Sequence, residues 1–302
     1  MNFKHMKSKT KAIIYVLICV GLWAFIPVVS KLGQKDLDNH QFLFWSSVSS
    51  LFFLVFLTIT QKKTKDFLKY NISDWFHVVF LGFLGTYLYY ILIYFGYAQA
   101  QGIEVLVLEY SWPIFVVILS VFILKEKLTW KKVLTIMIGF LGVFLVLTKG
   151  NFSQIYLENF WVDILVLLAA FSAALFSVLS KKAYFEPYTM VTIFFLTATV
   201  ASFFSMILFS NFLLPSKNAI IPIIINGFFV NGYSYILWIK VLKESEASFV
   251  APFVFLTPII SIFYLIIFFQ ESFLPIYGFG LFAVIAGGLL NSSKKNNPVS
   301  KV

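Results

Sequence analysis

A single carboxylate sits where carboxylates are rare. Glu109 lies inside an otherwise apolar run, about six residues past its start, or about 9 Å along a helix axis at 1.5 Å per residue. Trp112 follows at i+3, on the same helix face. Pro113 follows at i+4 and has no N–H to offer the Glu109 carbonyl. A later apolar run repeats the device, where Pro258 withholds an N–H from the carbonyl of Val254. A carboxylate in such surroundings can pair with a substrate ammonium group or take up and release a proton. Neighbouring aromatic faces can stack on rings or hold a cation. The plainer readings are a carboxyl bonded to a neighbouring helix or reaching an interface, and prolines that kink helices only for packing.

Other polar or aromatic positions recur inside apolar runs. Trp23 and Trp238 are mid-run, whereas Trp75, Trp130 and Trp161 lie at run ends, where interfacial tryptophans gather, and Trp45 fits neither group. Tyr87, Tyr90 and Tyr94 follow spacings of three and four and form one helix stripe. Asn226, Asn231, Tyr233 and Tyr235 give a later run similar polarity. Such groups need partners in an apolar medium, so they face protein or water, or join helices to one another. The candidate binding residues are Glu109, Trp112, Tyr90, Trp238, Trp23, Tyr94 and Asn231, with Pro113 and Pro258 as helix breaks. Glu104 and Glu126 are expected at interfaces, Lys31 and Lys181 at helix ends with side chains reaching outward, and His77 in no special role.

The elements that carry these residues follow from composition. Of 302 residues 60% are apolar and only 12% charged, which leaves too little polar surface for a soluble domain. Apolar runs near 20 residues recur at 12–31, 41–60, 74–98, 103–124, 132–149, 160–180, 189–212, 218–240, 246–269 and 275–291. The first is too long for a signal-peptide core and lacks an A-x-A site, so it is expected to remain as a helix. The net charge of +10 would suit a nucleic-acid partner, but position argues otherwise. Every basic residue is a lysine, and with the N-terminus inside, 19 fall in inner segments against 4 in outer ones (Lys31, Lys35, Lys149 and Lys217). That alternation is the positive-inside bias, and a miscounted helix would scramble it.

An internal repeat is legible as well. With Pro113 placed over Pro258, Glu126 falls on Glu271 and Gly142 on Gly287. VVSKL from Val28 matches VLSKK from Val178 at an offset about five residues larger. Because five helices is an odd number, the second copy enters the membrane upside down. The charge agrees, for the loop after the fourth run holds four lysines and its counterpart, Gln270 to Tyr277, holds none. The expected fold is all-α and integral to the membrane, with ten transmembrane helices as two inverted five-helix repeats. Its parts are an inner tail at 1–11, a first repeat at 12–149, a second at 160–291 and an inner tail at 292–302. Inverted repeats that meet at the bilayer midplane are a transporter architecture. Glycines at 82/85, 139/142 and 287/288 fit close helix contacts.

The ten-run, two-copy layout and the proline–glutamate hairpin of each half resemble the EamA type of the drug/metabolite transporter superfamily, over residues 12–291. IEVLVLEYSWP (Ile103 to Pro113), after YYILIYFGYA (Tyr89 to Ala98), is similar to bacterial aromatic amino acid exporters of that superfamily. Glu109 stands where those exporters often have asparagine. The resemblance implies export of amino acids or similar small metabolites through a central cavity lined by both halves, with Tyr90 facing it, in a bacterial inner membrane with both termini cytoplasmic. Alternatives are a metabolite importer or exchanger of the nucleotide-sugar or S-adenosylmethionine type and, more remotely, a membrane-embedded enzyme.

Other chemistries lack their residues. Cys19 is the only cysteine, so the chain can form no internal disulfide or cysteine metal cluster. No Walker A motif occurs and the connections are short, so no nucleotide-binding domain and no partner-binding domain are expected. The expected partners are a small-molecule substrate and the lipid bilayer, with no metal, cofactor or nucleic acid, and a monomer suffices.

Overall fold

The computed structural model describes residues 3–100, 102–151, 159–270 and 274–292; the side chains of 3–9, 97–98, 102–104 and 288–292 are outside that description. Glu271 and the lysines at 294, 295 and 301 therefore lie outside the described residues, as do the side chains of Glu104 and of the lysines at 4, 7 and 9.

Every described element is helical, as apolar runs in hydrocarbon require, since only a helix pairs its own backbone groups. Nine helices among the described residues are long and apolar enough to cross a membrane. They are α1 Thr10–Gly33, α2 Asn39–Thr60, α3 Ile72–Gly96, α4 Val105–Leu124, α5 Trp130–Leu147, α6 Phe160–Lys182, α7 Pro187–Phe209, α8 Lys217–Glu244 and α9 Ala247–Phe269. A further apolar helix, α10, spans Pro275–Ser292. Helix formation begins earlier than expected at the N-terminus, for α1 is continuous with a helix starting at Phe3. The segment expected as a tail is thus helical from that residue on.

Five helices are not regular. The first turns of α1 end at Trp23, and the helix restarts at Ile26 with Pro27 in its first turn. In α4 the helix stops at Glu109 and restarts at Trp112 with Pro113. In α9 a 3-10 turn at Ala251–Phe255 precedes Leu256–Phe269, which carries Pro258. Each interruption falls where a proline removes an i→i−4 hydrogen bond. α3 and α8 widen instead into π turns, at Phe83–Leu88 and Asn226–Tyr233. α6 runs unbroken.

The helices pack α2 on α7, α5 on α10, α1 on α8 and α9, and α6 on α3 and α4. Small residues set the closest approaches. A Cβ on Gly82 would stand 2.7 Å from the Phe194 Cα, and one on Gly280 would stand 2.9 Å from the Gly142 carbonyl. Of the glycines expected at close contacts, 82, 85, 139 and 142 sit at them, whereas a Cβ on Gly287 would come no nearer than 3.4 Å to a neighbour, an ordinary contact. The outer flanks carry Phe52, Phe122, Leu208 and Phe282, all exposed, which is an apolar belt for lipid. Of the end-of-run tryptophans, Trp130 and Trp161 are exposed, and Trp75 stacks on Phe67.

Candidate functional site

The three proline interruptions meet around one cavity. Its deeper part, about 600 Å³, is lined by Trp23, Glu109, Trp112, Ser177, Trp238 and Thr257 among others. A wider part, about 1120 Å³, shares Trp23, Tyr89, Tyr90, Glu109 and Tyr110 with it. Both volumes include space open to solvent; the room for a bound molecule in the wider part is about 340 Å³, within the range of small-molecule sites. The wider part reaches Gln34 and Asn39, where α1 ends and α2 begins. The cavity thus opens toward the end of the bundle opposite the lysine-rich loops. The residues four before each proline (Trp23, Glu109 and Val254) all stand on its wall. The half-helices starting at Ile26, Trp112 and Leu256 begin beside it, so the positive ends of three helix dipoles approach the cavity.

Glu109 faces the cavity, and its carboxylate accepts a hydrogen bond from the Tyr89 hydroxyl. The neighbouring-helix bond and the cavity position therefore coexist. Among the described lining residues Glu109 is the one carboxylate, and no lysine or histidine lines the cavity. Trp23, Trp112 and Trp238 form a triangle of edge-on rings, with centroids 5.3 Å apart for Trp23–Trp238, 5.8 Å for Trp112–Trp238 and 6.4 Å for Trp23–Trp112. Two indoles are fixed by hydroxyls: Trp23 Nε1 donates to Ser234 Oγ at 2.8 Å, and Trp238 Nε1 to Ser177 Oγ of the cavity wall at 3.1 Å.

Tyr90 lines the cavity, donates to Asn231 Oδ1 at 3.3 Å and meets the hydroxyl of Tyr235. Asn231, expected on the wall, does not line the cavity and holds Tyr90 from behind. Tyr94 lines the wider part, as does Pro258, while Pro113 is buried beside the wall. Of the remaining polar stripes, Tyr235 joins the wall and Tyr233 is exposed on the outer surface. Tyr89, Tyr110, Ser177, Thr257 and Pro27 were not singled out by sequence. Thr257 was reachable, because it falls on Trp112 in the register that places Pro258 over Pro113, and its buried Oγ1 has no hydrogen-bond partner among the described residues. Tyr89 had no signal beyond being a second tyrosine beside Tyr90.

The lysine-rich end is closed by polar bonds. Glu126 accepts from the backbone N–H of Ala247 at 2.8 Å and of Ser248 at 3.0 Å, and pairs with Lys181 at 3.1 Å. Lys132 donates to Glu246 and to Ser248 Oγ, each at 2.7 Å. Lys181 was expected to reach outward; it bonds the Ser245 carbonyl and Glu126 instead, because Glu126 is turned into the protein. Burial pushes the Glu126 carboxyl up, but the Ser248, Lys181 and Ala247 donors outweigh this and hold it below the usual carboxylate range. Lys31, at the opposite end, lies over the Phe269 ring at 4.2 Å.

The sequence profile of the EamA-like transporter family matches residues 10–148 and again 160–293. The chain belongs to this family. It is 26% identical over 260 residues to an uncharacterized transporter of Archaeoglobus fulgidus, covering 82% of this chain and 87% of that one. The uncharacterized transporter YoaV of Bacillus subtilis is 25% identical over 268 residues, covering 84% and 87%. A protein named S-adenosylmethionine uptake transporter, from Rickettsia conorii, is 28% identical over 172 residues, covering 56% of this chain and 55% of that one. One solved crystal structure superposes with a TM-score of 0.82 over 95% of this chain and 97% of its own, at 15% identity, and so shares the fold. As a family member the chain is a multi-pass membrane transporter.

Proposed function

We propose that the chain is a secondary transporter or facilitator that exports amino acids or related small metabolites by alternating access. Two inverted five-helix halves, 12–149 and 160–291, rock about the central cavity in ten crossings, with both termini cytoplasmic in a bacterial inner membrane. The two profile matches support the duplication, one to each half. So does the geometry. At an offset of 145 residues, Pro113 pairs with Pro258, and Lys125 with Gln270, both in the left-handed region at φ 56° and 55°. The π turns of α3 and α8 correspond, and helix pairing exchanges as a two-fold requires, with α1 on α8 mirrored by α6 on α3. Positions matched this way share the wall as Tyr90/Tyr235, Glu109/Val254 and Trp112/Thr257 and, at an offset of 150, as Trp23/Ala173 and Ile26/Phe176.

The observation that carries the substrate reading is the lone Glu109 carboxylate beside three indoles, with no cation on the described wall. It suits an ammonium group attached to an apolar or aromatic body. Glu109, Trp112, Tyr90, Trp238, Trp23 and Tyr94 are the proposed contacts, with Asn231 supporting Tyr90. The carboxylate of an amino acid would meet the N-terminal end of the half-helix at Leu256 and the open hydroxyl of Thr257. The same wall charge disfavours an anionic nucleotide sugar. It admits a sulfonium cation, which keeps S-adenosylmethionine as the second reading, as does the Rickettsia relative's name. Proton exchange at Glu109 is the proposed coupling step, so Glu109→Gln, besides binding substrate more weakly, should lose pH-driven accumulation even at saturating substrate; equal pH dependence in both proteins removes the step.

Efflux of labelled amino acids from proteoliposomes tests the assignment. Efflux by the wild type that a folded Glu109→Ala protein loses supports it. No amino acid efflux from folded wild type sinks it and directs attention to S-adenosylmethionine.

A further inference from the structure

The cavity opens at one end, and the other end is tied by one buried carboxylate. Glu126 follows α4 directly, after the left-handed turn at Lys125. Its side chain is only 6% exposed, although it lies in a loop beyond the membrane-spanning helices. Four donors converge on it: the N–H groups of Ala247 and Ser248 at the start of α9, the Ser248 hydroxyl at 2.5 Å, and Lys181 Nζ at the end of α6. Ser248 Oγ also receives Lys132 of α5, which bonds the Lys127 carbonyl at 2.9 Å and Glu246 as well. One carboxylate thereby ties α4, α6 and α9 together and recruits α5. Of the other ion pairs described at this end, Lys69–Asp66 stays within one loop, and Lys11–Glu244, at 2.9 Å and largely open to solvent, joins α1 to α8.

We propose that Glu126 is a positioning residue that keeps the lysine-rich end of the cavity shut and so sets which face the site opens to. Glu126 lines no part of the cavity, so it acts on substrate only through α9 and α6. Opening this end must part α9 from the α4–α5 loop, which strips a buried carboxylate of its donors at once. A bond to a charged group biases an equilibrium by about tenfold or more. The exposed Lys11–Glu244 pair contributes little by comparison. The inference takes from the proposed function only that the cavity changes the face it opens to, and it needs no particular substrate.

The experiment uses full-length protein in oriented proteoliposomes, with Cys19→Ser to remove the native thiol and Ala173→Cys on the cavity wall as a reporter. A membrane-impermeant thiol reagent is added to one face at a time. In Glu126→Gln, labelling from the lysine-rich face should rise about tenfold while labelling from the opposite face falls. Lys181→Gln should move both rates the same way by less, and it serves as the reading if Glu126→Gln does not fold. Lys11→Ala should move neither. Unchanged rates in folded Glu126→Gln overturn the proposal, as do rates that rise together, which would mean general loosening. Labelling confined to the opposite face in every variant overturns it too, and would also count against alternating access itself.

Discussion

The two halves share a backbone plan and differ in chemistry. Each carries a π turn in its third helix and a proline interruption in its fourth, and each ends that helix in a left-handed turn. Yet where the first half presents Glu109 and Trp112 to the cavity, the second presents Val254 and Thr257. Pro27 breaks α1, whereas its counterpart Ser177 sits in an unbroken α6 and uses its hydroxyl to fix Trp238. The turns and the proline break thus recur while the charge does not. On the proposed reading, the recurring frame serves two mirrored openings and the single carboxylate fixes one substrate orientation.

That contrast can be broken most sharply at the unequal pair. Glu109→Gln should lower transport at least about tenfold, the loss of one charge-assisted contact, whereas Val254→Ala at the matching position, which removes no charge or hydrogen bond, should lower it less. Equal losses in an efflux assay would mean that both halves contact substrate alike. The equal pair tests the frame instead. Gly82 and Gly227 correspond, and a Cβ on either meets backbone, Phe194 Cα at 2.7 Å and Ser50 N at 2.9 Å. Alanine at each should destabilise the protein by about 1–3 kcal/mol, the range for overpacking, read as lowered thermal unfolding temperature in detergent. One tolerated and one damaging substitution would argue that the seams are not equivalent.

The smallest effect concerns pH at the closed end. The Glu126 carboxyl is held below its ordinary range, so its contribution is present above the ordinary carboxylate pKa and is lost as pH falls through the lowered value. The ratio of Ala173→Cys labelling from the lysine-rich face to that from the opposite face, in which the pH dependence of the thiolate cancels, should therefore stay flat between about pH 5 and 8 and rise only in stronger acid. A rise already between about pH 7 and 6 would place the sensitive proton elsewhere.

Much of this was legible in the sequence because the membrane enforces simple rules. Helix bounds followed hydropathy to within a few residues, as at Ala247–Phe269 for the expected 246–269. Glu109, Trp112 and Trp238 were visible as polar or amphipathic groups inside apolar runs, although the same signal at Tyr233 belongs to a side chain exposed on the outer surface. Pairing across helices was not visible. Lys181 and Glu126 look like ordinary loop charges until the fold brings them to 3.1 Å. Ser177 and Thr257 are unremarkable letters that acquire a place on the wall only through the repeat. Asn231 shows the converse, a polar residue on the right helix whose task is to hold Tyr90 rather than face the cavity.

Direct binding decides whether Glu109 receives an ammonium group. Purified protein would be titrated with phenylalanine, phenethylamine and 3-phenylpropionate, with tryptophan fluorescence from the Trp23–Trp112–Trp238 triangle as the signal. The account predicts that the two ammonium compounds bind, that phenylpropionate does not, and that Glu109→Gln weakens the two binders at least about tenfold. Phenylpropionate binding as tightly as phenethylamine, or binding that Glu109→Gln leaves unchanged, would contradict it.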